Sequence, residues 1–68
     1  MTASEFIQLK IDLSGRTLDE FADYIEMPRK ELHRILNSDI RQVRADKIDR
    51  ICQGLEITVS DVIHFLYT

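Results

Sequence analysis

Apolar residues recur three and four positions apart through most of the chain, the spacing that lines one face of a helix with about 3.6 residues per turn. Thr2 and Glu5 open the pattern as a capping box, so a first helix starts near Ala3. Along it Phe6, Leu9 and Leu13 fit a helical stripe. The alternation of Ile7, Leu9, Ile11 and Leu13 with Gln8, Lys10 and Asp12 fits a strand as well, and the cap favours the helix. Ser14 and Gly15 end the segment, Gly15 being free to turn left-handed. A second box, Thr17 with Glu20, starts a second helix whose stripe is Leu18, Phe21, Ala22 and Ile25. Pro28 restricts Met27 to extended or turn geometry, so that helix stops by about Glu26 and a turn of about three residues leads into a third. On the third helix Leu32, Ile35 and Leu36 form the apolar stripe.

Ser38 to Val43 carries no stripe and reads as a loop. A fourth helix follows from about Ala45 to Gln53, with Ile48, Ile51, Cys52 and Leu55 inward and Gly54 as its stop. Thr58 and Asp61 repeat the cap spacing and open a fifth helix, Val59 to Leu66, with Val59, Val62, Ile63 and Leu66 facing the core. Phe65 and Tyr67 are left outside that stripe. Exposed aromatics of this kind suit a self-association patch, and folding back over the first helix is the alternative.

The polar positions of the third helix are as ordered as its apolar ones. At about 100° per residue His33, Asn37, Lys30 and Arg34 fall on the arc opposite Leu32 and Ile35, with Arg29 at its N-terminal edge. All five can bond to bases or phosphates: arginine forks onto guanine O6 and N7, asparagine pairs with adenine, and lysine or histidine reaches phosphates. A solvated helix face would show the same residue types. The tight turn in front of them is what points to a helix-turn-helix over Thr17 to Asn37.

At this point the chain resembles the lambda-repressor and Cro-like (XRE-type) helix-turn-helix proteins of bacteria and phages, on Thr17, Glu20, Phe21, Ala22, Ile25, Met27, Arg29, Leu32, Arg34, Ile35 and Asn37. The likeness continues from Ala45 to Val62. It implies an all-α, compact five-helix fold with the motif on helices 2 and 3, occupying residues 1–68 as a single domain. It also implies duplex-DNA contacts from Thr17, Pro28, Arg29, Lys30, His33, Arg34 and Asn37, with Arg41 and Arg44 on phosphates. Four positions depart from the family pattern. Leu18 stands where many members carry a phosphate-contacting glutamine, Glu26 where the turn has glycine, Leu36 where glutamate is common, and Arg44 where a capping serine is common.

Composition narrows the picture further. Sixty-eight residues support one domain that buries about 60% of its unfolded surface, so association would add stability. No apolar run approaches the roughly 20 residues of a membrane span, and Glu5, Lys10 and Asp12 interrupt any secretory pattern at the start. The single cysteine, Cys52, forms no internal disulfide, which suits a reducing cytoplasm. The net charge of −3 is unusual for a nucleic-acid binder, yet Pro28 to Arg50 holds seven basic residues against four acidic ones, a local +3. A basic face within a Debye length of about 8–10 Å of the duplex is what binding requires.

Catalysis finds no constellation. His33 and His64 lie on different elements, Asp61 and His64 lack further ligands, Cys52 has no adjacent base, and two glycines build no phosphate loop. The expectation is a non-enzyme without metal or cofactor. Two functions fit. The first is a sequence-specific DNA-binding regulator, a phage-, prophage- or plasmid-type Cro-like repressor that occludes promoter DNA as a homodimer joined through Phe65 and Tyr67 and reads an inverted repeat. The second is a protein-interaction module on the same fold, an antitoxin or an inhibitor of another regulator.

Overall fold

In the computed structural model, which describes residues 1–65, the helices begin where the caps place them. They are α1 (Ala3–Leu13), α2 (Leu18–Tyr24), α3 (Arg29–Leu36), α4 (Ala45–Leu55) and α5 (Val59–His64), with a 3-10 turn at Ile40–Gln42 and no strand among the described residues. The strand reading of the N-terminal segment is therefore excluded. All three boxes form reciprocally. The Glu5, Glu20 and Asp61 amides donate to Thr2, Thr17 and Thr58 hydroxyls at 3.1, 3.1 and 3.2 Å, and each carboxylate accepts the cap residue's own amide. Loss of such a cap costs about 1 kcal/mol.

α2 and α3 lie against each other, α1 spans α2, α3 and α5, and α4 closes the core. Phe21, Ile7, Ile11, Leu32, Ile51, Val62 and Cys52 are wholly enclosed, each large apolar side chain contributing about 1.5–3 kcal/mol of burial. Burial also pushes the Cys52 thiol up, keeping it protonated as a small core residue. No described helix is long and apolar enough to cross a membrane.

Four expectations are corrected. The α1 stripe is Ala3, Ile7 and Ile11 with Phe6 half-buried, while Leu9 and Leu13 are 42% and 71% exposed. A stripe at every fourth residue drifts by only about 40° per step, and Leu9 sits nearly opposite it. Ser38 to Val43 is not plain loop: its 3-10 turn drives Ile40 into the core, with Asp39 accepting the Arg41 amide at 3.0 Å. Gly54 does not stop α4, which continues to Leu55; the left-handed residue is Glu56, at φ 58°. Gly54 is there because a Cβ would collide with Ile25 Cγ2 and stand 3.1 Å from Phe21 Cζ. In α5, Ile63 is 43% exposed while Phe65 stacks on Phe6 with ring centroids 4.5 Å apart. Leu66 and Tyr67 lie outside the described residues.

Five carboxylates, four exposed and Glu31 half-buried, are held below their ordinary values by bonds of the folded chain. Glu20 and Asp61 accept cap amides from Thr17 and Thr58; Asp23, Glu31 and Asp39 accept from Arg29, Lys47 and Arg41. A depressed acid stabilises the fold above its unfolded pKa, and that contribution is lost as pH falls through the folded value. Thermal melts between pH 7 and pH 3 are therefore expected to show a level midpoint down to about the ordinary values of 4.5 and 3.8 and a decline below them. A midpoint that rises on acidification would contradict these bonds.

Candidate nucleic-acid interface

The turn between α2 and α3 spans Ile25 to Pro28, four residues where about three were expected. It is a Schellman-type ending: the Met27 amide donates to Ala22 O at 2.9 Å and the Glu26 amide to Asp23 O at 3.2 Å. Glu26 adopts φ 57°, a left-handed conformation that costs a non-glycine residue about 1 kcal/mol or more. Met27, buried, anchors the turn from below. Pro28 takes the N-cap position, where its missing amide is no loss, and its carbonyl accepts from Glu31 and Leu32 at 3.0 and 3.1 Å. Ala22, fully enclosed, is small enough for α3 to approach α2 closely.

Glu26→Gly is accordingly expected to stabilise the protein by about 1 kcal/mol, raising the melting midpoint by roughly 4–8 °C. The Glu26 carbonyl, which accepts from Arg50 at 3.4 Å, is kept. A lower midpoint would show that the glutamate side chain stabilises the turn.

With Leu32, Ile35 and Leu36 buried, the other arc of α3 faces outward, and Arg29, Lys30, His33, Arg34 and Asn37 are all exposed. Their surroundings differ. Arg29 is clamped by Asp23 of α2 through Nε to Oδ1 at 3.2 Å and NH2 to Oδ2 at 2.6 Å, with Asp19 Oδ2 3.8 Å from NH1. His33 Nε2 lies 3.0 Å from Asp19 Oδ1. Asn37 Nδ2 donates to the His33 carbonyl at 2.9 Å, closing the end of α3. Lys30 and Arg34 make no side-chain hydrogen bond or ion pair with any described residue.

The arginines after α3 lie beyond its C-terminal end. Arg41 is paired with Asp39 at 2.8 Å, and Arg44, at the N-cap of α4, with Asp46 at 3.3 Å. An open cleft lined by Arg34, Ser38, Gln42, Val43, Arg44 and Lys47 brings α3 and the start of α4 together. Lys47 bridges to Glu31 across it at 2.8 Å, which fixes the two helices against each other. Thr17 stands at the exposed N-cap of α2, its hydroxyl engaged in the capping box. Asp19 and Asp23 of α2 join this surface, and neither is among the residues that the sequence singled out. A signal was present: both carboxylates and both cations, Arg29 and His33, are spaced by four, two matching ladders on adjacent helices.

A buried small residue at the helix crossing, a tight turn and a cation-bearing outer arc on α3 are the local geometry of a helix-turn-helix. A family profile described as a Cro/C1-type HTH DNA-binding domain matches residues 3–66. The chain belongs to the Cro/C1-type helix-turn-helix DNA-binding family. Neither a curated protein nor a solved structure matches it. In this Cro/C1-type domain the motif occupies α2 and α3, and the match extends past α4 into the C-terminal segment. DNA is therefore its partner class.

Proposed function

We propose that the protein is a sequence-specific transcriptional regulator of the Cro-like repressor type, of phage, prophage or plasmid character, acting through one domain over residues 1–68. The observation that carries this is the pair of cations on the outer arc of α3, Lys30 and Arg34, whose side chains make no hydrogen bond or ion pair among the described residues. Placed in the major groove, that arc brings Arg29, Lys30, His33 and Arg34 to base edges. Thr17, Pro28, Asn37, Arg41 and Arg44 then lie nearer the backbone, where contacts set register rather than sequence. Occupancy of promoter DNA through that arc is the mechanism of this reading.

Two copies joined at the C-terminal end, around Phe65 and Tyr67, would set two α3 helices about 34 Å apart, one turn of duplex. The exposed Ile63 beside Phe65 supports that surface. Sedimentation of the protein with a duplex that it selects tests the arrangement. Two chains per site support it; one chain per site, or a Phe65→Ser variant with unchanged stoichiometry, overturns it. The second reading, a protein-interaction module such as an antitoxin or an inhibitor of another regulator, is favoured by the net charge of −3 and by the engagement of Arg29 and His33 with Asp23 and Asp19. It requires that loss of Lys30 and Arg34 leave activity intact.

A further inference from the structure

The Asp23–Arg29 pair is both exposed and geometrically specific. Its side chains are 58% and 56% accessible, so as an isolated surface ion pair it adds little to the stability of the fold. Its two-point geometry nevertheless fixes the guanidinium plane. Asp23 occupies the side edge of the group, Nε and NH2, and Asp19 sits at 3.8 Å beside NH1. A guanidinium carries five N–H groups in a planar fork. With the side edge taken, the end-on edge keeps one N–H on each terminal nitrogen, and Asp19, 3.8 Å from NH1, is beyond hydrogen-bond distance of it. That edge presents two parallel N–H groups and can fork onto guanine O6 and N7.

Two consequences follow from the chemistry. An arginine already held in one rotamer loses less freedom when it meets a base, because the fork is organised before contact. An arginine neutralised by a carboxylate is also drawn less strongly to phosphates, whose attraction is sequence-independent and salt-dependent. Asp23 is held below the ordinary carboxylate range by the Arg29 hydrogen bonds, so the clamp is fully charged near neutrality. Asp19 extends the same arrangement to His33 at 3.0 Å.

We infer that Asp19 and Asp23 of α2 are positioning residues that hold Arg29 as a pre-aimed guanine reader and withdraw it from the phosphates, so that base specificity is set from α2 as well as from α3. The inference rests on the DNA-binding reading of α3. It assigns a role to the acidic face of α2, and it accounts for carboxylates lying within the surface that meets a polyanion.

The test uses the full chain, its selected operator, single-base variants of that operator, and a random duplex, titrated by fluorescence anisotropy at several salt concentrations. Asp23→Asn keeps the shape and removes the charge. It is expected to reduce preference for guanine at one position of each half-site by roughly 10-fold, the scale of one bidentate contact. It is also expected to tighten binding to random duplex and steepen its salt dependence by about one phosphate's worth, a slope change near −0.9. Arg29→Lys, which cannot fork, should lose the same base preference, and Asp23→Asn added to it should remove no more. Asp19→Asn serves as a second variant, with thermal melts confirming that each protein is folded. If Asp23→Asn weakens every sequence alike, or leaves both base preference and salt slope unchanged, the inference is overturned while DNA binding stands. If the unsubstituted protein binds no duplex at any salt, the DNA-binding reading fails first and the inference falls with it.

Discussion

Arg34→Ala is expected to weaken binding to the protein's operator by roughly 10- to 100-fold per half-site while leaving the melting midpoint within a few degrees of the original. The size follows from the loss of one base or phosphate contact by an arginine, about 1–3 kcal/mol. The selectivity follows from its place in the fold. Arg34 is exposed on the outer arc of α3 and makes no ion pair with a described residue. Its electrostatic influence on Glu31 is a minor one, because Lys47 is the direct partner of that carboxylate at 2.8 Å. Folding therefore has little to lose when the guanidinium goes. Anisotropy titrations beside thermal melts separate the two effects. Equal affinity for the operator, with unchanged base preference, would remove Arg34 from the interface and would leave the protein-interaction reading stronger.

Gly54→Ala is expected to destabilise the protein by about 1–3 kcal/mol, against a helix propensity that by itself would gain nearly 1 kcal/mol. The sign is what makes this informative. Gly54 lies inside α4, where alanine is ordinarily the better residue, but the added methyl would collide with Ile25 Cγ2 and press on the Phe21 ring at 3.1 and 3.2 Å. Phe21 is fully enclosed and cannot swing away without opening the core. Ile25 begins the turn that positions α3, so the strain reaches the proposed reading surface directly. A small domain has only a few kcal/mol in reserve, and its urea midpoint should fall clearly. A raised midpoint would show that α4 can move off α2 without cost.

Much of the architecture was legible because it depends on local chemistry. The Thr17–Glu20 box, the Pro28 stop and the Leu32, Ile35, Leu36 stripe act within one or two turns of chain, and each is where the residues place it. What escaped depends on packing at a distance. In α1 two rows of apolar residues compete, and only the neighbours of α1 decide that Ile7 and Ile11 go in while Leu9 and Leu13 stay out. Gly54 has the same identity whether it ends a helix or admits a neighbour, and Ile25 decides which. Ile40 is one apolar residue in a three-residue turn, too short for periodicity to show. The outer arc of α3 was readable as a set of polar groups. That Arg29 and His33 are held by α2 while Lys30 and Arg34 are not depends on how the two helices cross.

The central claim is that α3 reads duplex DNA, and selection of the purified protein on a random duplex library at about 100 mM salt, followed by a salt titration of the best site, tests it most directly. The account predicts an enriched inverted repeat with half-sites about one helical turn apart and an affinity that falls steeply as salt rises. A library that yields no enriched sequence, with only weak binding throughout the titration, would contradict it.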